Sequence, residues 1–127
     1  MANFAATKWF KASEFPFPDQ MDQDLINKLD TLRERLGRPI KITSSYRDPG
    51  HNAAVGGVQG SQHLTGHAVD IELPNDGQYH YDIVKLAFEI GFTGIGERRQ
   101  TGKVGMLHLD NRPVASRAKW TYRDAAA

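Results

Sequence analysis

The run "SQHLTGHAVDIEL", residues 61–73, holds His63, His67, Asp70 and Glu72 in a stretch that otherwise reads as loop, glycine and strand. Downstream, "LHLD" places His108 and Asp110 at alternate positions. Imidazoles and carboxylates gathered this way are the donors of a metal site. The chain has no cysteine, so thiolate ligation and a disulfide framework are both excluded, and any metal must be held by His, Asp or Glu. Two imidazoles and one carboxylate leave a tetrahedral zinc one ligand short, which is the pattern of a catalytic site whose fourth place takes water. A single carboxylate also leaves the zinc unit net positive, which lowers the pKa of a bound water and polarises a carbonyl. Histidines and acids also share polar sheet faces without any metal, so spacing alone leaves both readings open. His51, His67 and His80 read as surface or loop residues.

These side chains need strands to position them. In "HAVDIEL", Val69, Ile71 and Leu73 point one way, and Ala68, Asp70 and Glu72 the other. In "VGMLHLD", Leu107 and Leu109 share one face, and Met106, His108 and Asp110 share the opposite one. Gly66 permits a tight turn between His63 and Asp70, and a turn that folds back carries the His63 imidazole over Asp70. Antiparallel pairing of the two strands lets His108 join them.

The remaining elements form the scaffold. "EFPFPD" carries two prolines and reads as an extended lead-in. In "MDQDLINKLDTLRERLG", Met21, Leu25, Leu29, Leu32 and Leu36 lie on one helical face. Asp22 and Asp24 near its start and Arg33 and Arg35 near its end suit the helix dipole, and Gly37 and Pro39 end it. "PIKITSS" alternates Ile40 and Ile42 as a strand, and residues 46–61 form a glycine-rich excursion with a short helical turn around 52–55. "PNDG" ends the strand that carries Asp70. A second helix is expected over 81–90, with Ile83, Leu86, Ala87 and Ile90 inward, followed by "FTGIG" as a short strand or turn. The sum is an α+β fold, a small antiparallel sheet with helices packed on one side.

The length of 127 residues favours one domain spanning 1–127, and a hydrophobic content of 39% supports one modest core. A net charge of +1 gives no bulk argument for nucleic acid or an anionic membrane. The basic run "RPVASRAKWTYR" is too small an excess to change that. The N-terminal segment lacks the apolar run of a signal peptide and no segment approaches membrane-spanning length, so synthesis in a cytoplasm without N-terminal export is expected.

"SQHLTGHAVDI" resembles the Ser-x-His-x-x-Gly-x-Ala-x-Asp signature of the D-alanyl-D-alanine carboxypeptidase family of zinc peptidases, which includes phage L-alanyl-D-glutamate endolysins. "LHLD" is similar to that family's late ligand strand, and "ITSSYRDPGHNAAVGG" to the segment that supplies an active-site arginine. "KWFKASEF" and "WTY" extend the resemblance over residues 8–123. It implies a Hedgehog/D-Ala-D-Ala carboxypeptidase-like fold with a Zn2+ site on the open sheet face. His63, Asp70 and His108 would be the ligands, Arg47 would contact the scissile carbonyl or a substrate carboxylate, and Ser61 would line the pocket. The implied activity is hydrolysis of a peptide bond in peptidoglycan stem peptides, by a carboxypeptidase or an endopeptidase.

One position departs from the family pattern. Many members carry Glu, Asp or His three residues before the last ligand as the general base, and Gly105 stands there. Glu97, Glu72 and Asp110 are the replacements to consider. Glu97 ranks first because it precedes a polar loop that could fold over the cleft, and Asp110 could equally support His108 from behind. The substrate lies outside the cytoplasm, which suggests a phage-encoded protein, either an endolysin or a virion component with phage structural proteins as partners. A catalytically weak or inactive module that binds cell wall or builds a particle is the alternative.

Overall fold

The computed structural model describes residues 3–46, 62–98, 105–113 and 117–121, with positions 120 and 121 described by backbone alone. Helix α1, Gln23–Leu36, starts where the Asp22 carboxylate accepts from the Leu25 N–H and stops at Gly37. Leu25, Ile26, Leu29 and Leu32 are fully buried, so the inward stripe includes Ile26 and ends before the half-buried Leu36. Met21 is buried too, but it precedes the helix. The proline-rich lead-in is not simply extended. It contains 3₁₀ turns at Ala12–Glu14 and Pro18–Gln20.

Helix α2 is Gly77–Ile90, four residues longer at its start than expected. Asp76 is the reason. Its carboxylate accepts from the Gln78 and Tyr79 N–H groups, so "PNDG" caps the helix as well as ending the strand before it. The added turn buries Tyr79, whose hydroxyl donates to the Pro39 carbonyl at 2.9 Å. Ile83 and Ala87 are buried, whereas Leu86 and Ile90 lie half-buried at the rim.

The strands are β1 (Ile42–Ser44), β2 (Ala68–Leu73), β3 (Gly94–Arg98), β4 (Gly105–Asp110) and β5 (Ala118–Thr121), in the sheet order β1-β2-β4-β3-β5. The first four pair antiparallel, and β5 adds to β3 in parallel, so the sheet is antiparallel except at that edge. Val69, Ile71, Leu73, Ile95, Leu107 and Leu109 form one continuous core with the buried residues of both helices. Among the described residues, α1 and α2 therefore cover one face of the sheet. No helix among the described residues is long and apolar enough to cross a membrane.

Candidate metal centre

The register between β2 and β4 builds the face opposite α1 and α2. Asp70 pairs with His108, and Ala68 with Asp110. On the other side of β4, Gly96 pairs with His108 and Gly94 with Asp110. His63 arrives from a 3₁₀ turn, Gln62–Thr65, that closes at Gly66. Gly66 has φ +75°, and a Cβ there would lie 1.8 Å from the Gln20 carbonyl oxygen, so both the turn and the close approach of the lead-in require glycine. This turn lays His63 over Asp70.

His63 Nε2 is 3.2 Å and His108 Nδ1 is 3.1 Å from the same oxygen, Asp70 Oδ1. The three donor atoms lie within 4.8 Å of one another, and all three side chains are buried. Donor atoms around a tetrahedral zinc with ~2.0 Å bonds stand roughly 3.3 Å apart, close to the two contacts with Asp70.

The outer ring nitrogens make the case sharper. His63 Nδ1–H donates to the Ser45 carbonyl at 2.7 Å, and His108 Nε2–H donates to Asp110 Oδ2 at 2.7 Å. Neither acceptor has a proton to give, so each imidazole carries its hydrogen on the outside. When the rings are neutral, both inner nitrogens turn lone pairs toward a carboxylate oxygen. That arrangement needs a cation between the groups, either a metal ion or an extra proton on each ring. The donor set therefore fits zinc, and the outer acceptors are those that orient metal-ligating histidines.

The electrostatics follow from the same contacts. Burial opposes ionisation of Asp70, yet hydrogen bonds from the His108 and His63 rings, in the form that carries the extra inner proton, outweigh it and hold the carboxyl well below its usual range. Burial disfavours a charged His108, but its hydrogen bonds to Asp110 and Asp70 raise its pKa on balance. Asp110 is fully buried, and hydrogen bonds from His108 and Arg112 overcome that burial and lower its pKa.

The chain matches the family model described as peptidase M15 over residues 5–110. It belongs to the peptidase M15 family. A search of curated proteins returned no match. M15 peptidases are zinc enzymes, and membership supports a metallopeptidase acting on peptidoglycan peptides.

The structure separates the three carboxylates considered for the base of this M15 peptidase. Glu97 pairs with Leu107, so it shares the helix side of the sheet with Ile95 and Leu109. Its carboxylate meets His80 Nε2 at 3.1 Å, on α2, and Lys119 Nζ at 3.5 Å. Glu97, ranked first for the base because of the loop that follows it, thus stands on the face opposite His108, and β-strand alternation is the reason. Asp110 stands behind His108, and both its oxygens are taken by His108 and Arg112. Glu72 shares the Asp70 face two residues along β2, partly exposed and 3.6 Å from Lys41 Nζ.

His67 is peripheral, with its ring against Thr65 Oγ1 and Asp22. Arg47, Ser61, His51 and the turn expected around 52–55 lie outside the described residues. Sequence reasoning missed the Ser45 carbonyl, the two glycines of β3 and Arg112. A carbonyl leaves no mark in side-chain identity. Arg112, by contrast, continues the alternation of His108 and Asp110, and that signal could have found it.

Proposed function

We propose that this chain is a zinc-dependent peptidase that hydrolyses a peptide bond in peptidoglycan stem peptides, as a carboxypeptidase or an endopeptidase. One observation carries the reading. In a chain of the M15 family, His63 Nε2, Asp70 Oδ1 and His108 Nδ1 converge while the outer nitrogens of both rings are already committed as donors.

His63, Asp70 and His108 hold the metal in this reading. Zinc, when bound there, supplies a Lewis acid for the carbonyl and lowers the pKa of water. The Ser45 carbonyl and Asp110 keep the two rings turned inward. Gly96, opposite His108, adds no side chain to the face on that side of β4. Arg47 and Ser61 enter the proposal through the family resemblance, Arg47 as the oxyanion or carboxylate partner and Ser61 at the pocket wall. Glu72 is the carboxylate proposed to move the proton, since it alone of the three considered lies on this face with an exposed edge. The resemblance to phage endolysins extends the proposal to a phage-encoded protein.

A second reading, a binding or structural module with little turnover, is favoured by Gly105 at the usual base position and by Glu97 facing the helices. Muropeptide digestion followed by mass spectrometry separates the two. The peptidase reading expects zinc-dependent release of a defined peptide or amino acid, abolished together with zinc binding in His63→Ala. It also expects Glu72→Gln to lose ~10²-fold or more in rate with zinc retained. A zinc-loaded parent that releases nothing over a blank supports the module instead.

A further inference from the structure

Arg112 stands just beyond β4, at the third place in the alternation His108, Asp110, Arg112. Its Nε is 2.9 Å from Asp110 Oδ1, its Nη2 is 2.7 Å from Oδ2, and its backbone N–H donates to Oδ1 at 3.1 Å. The Thr93 hydroxyl donates to the Arg112 carbonyl and pins the same residue from β3's approach. Asp110 sits in a slot made for it. Ala68 is opposite on β2, and Gly94 is so close that a Cβ would lie 2.1 Å from both carboxylate oxygens.

We propose that Arg112 is a positioning residue for the metal, acting through Asp110 on the ring of His108. This rests on the reading of His63, Asp70 and His108 as zinc ligands. Without the guanidinium the carboxylate keeps only His108 and the single Arg112 backbone N–H, and could turn about its side-chain bonds and carry the ring with it. The two-pronged guanidinium grip fixes the carboxylate plane, and Oδ2 then fixes the imidazole so that Nδ1 faces Asp70 and His63. The charges support the same role. Asp110 by itself would set a second negative charge behind the ligands, and Arg112 cancels it. The zinc unit thereby keeps the single positive charge that its one carboxylate leaves.

The test is zinc affinity, measured by competition with a chromophoric chelator at a temperature where circular dichroism shows each variant folded. Arg112→Met should weaken zinc binding ~10–100-fold, the usual cost of losing support behind a ligand. Arg112→Lys should recover little of that loss, because a point charge lacks the fork. Loss of thermal stability alone, with parental zinc affinity, would mark a merely structural role and overturn the inference. Full recovery in Arg112→Lys would overturn it as well, since charge rather than position would then suffice. Should Arg112→Met fail to fold, the pair Asp110→Asn with Arg112→Met removes both charges and leaves an amide oxygen for His108. Weaker zinc binding in that folded pair than in Asp110→Asn alone supports the role, and affinity equal to that of Asp110→Asn overturns it. If the parent binds no zinc, or His63→Ala binds it equally well, the ligand assignment fails and this inference fails with it. A parent that binds zinc through His63 beside an unimpaired Arg112→Met overturns the role of Arg112 alone.

Discussion

Replacing Gly94 by alanine adds one methyl group against Asp110, behind the candidate metal centre. The new carbon would lie 2.1 Å from Oδ1 and Oδ2 of Asp110 and 2.2 Å from its Cγ. Ordinary contact requires the carboxylate to retreat by about 1.3 Å or more. Asp110 is fully buried, with Arg112 and His108 in contact and Ala68 paired across β2, so it has no open direction in which to move. A retreat of that size stretches the 2.7 Å bond to His108 or the 2.7 Å bond to Arg112 past hydrogen-bond range. Losing one charge-assisted bond costs ~1.5–3 kcal/mol, and overpacking adds ~1–3 kcal/mol. The expected destabilisation is about 3 kcal/mol, or a fall in melting temperature of about 10 °C for a chain of this size. Zinc affinity should fall ~10–100-fold in the same variant, because His108 loses its fixed orientation. Gly77→Ala is the control. A Cβ there meets nothing within 4 Å, so it should be neutral or stabilising by up to about 1 kcal/mol. Thermal melts with and without zinc, together with a zinc titration, measure both effects. A Gly94→Ala protein with parental stability and parental zinc affinity would falsify the view that Asp110 is wedged against β3 to hold His108.

Two further outcomes follow from the same geometry. Glu97→Gln should keep zinc binding and muropeptide turnover near parental levels, since its carboxylate faces His80 and Lys119 across the sheet from the triad; a ~10²-fold loss of rate with zinc retained would mean that the sheet face does not decide its role. Zinc affinity should fall as pH is lowered, because protons compete for the inner nitrogens, and the raised pKa of His108 puts the start of that loss above the ordinary imidazole value of 6.5. Without metal the sign reverses: protonated His108 contributes stability that is full below its unfolded pKa and disappears as pH rises through its folded one. Melts of metal-free protein across that window, beside zinc titrations at each pH, check both slopes, and parallel slopes with and without zinc would contradict the assignment.

Much of the site could be read along the chain because it depends on local rules. Alternation within β2 and β4 put Asp70 and His108 on polar faces, Gly66 marked the turn that returns His63, and the absence of cysteine limited the donors. The stripe from Leu25 to Leu32 announced α1 in the same way. Alternation, however, says only that neighbours on one strand face opposite ways. It does not say which face of one strand aligns with which face of the next. In β3 the site-facing positions are Gly94 and Gly96, which carry no polarity signal, so nothing in "GIGER" showed that Glu97 faces the helices. The pairing Gly96 with His108 decides that, and pairing is a property of two strands brought together. The parallel edge strand β5 depends on the same kind of long-range register. The roles of the outer nitrogens were likewise hidden. Which nitrogen of His63 faces Asp70 and the candidate metal position is set by a backbone carbonyl eighteen residues away at Ser45, and which nitrogen of His108 does so is set by a carboxylate clamped by Arg112. Residue types determined what chemistry was available to this protein, and only the folded chain, by closing distances between parts that the sequence keeps apart, decided which atoms could take part in it.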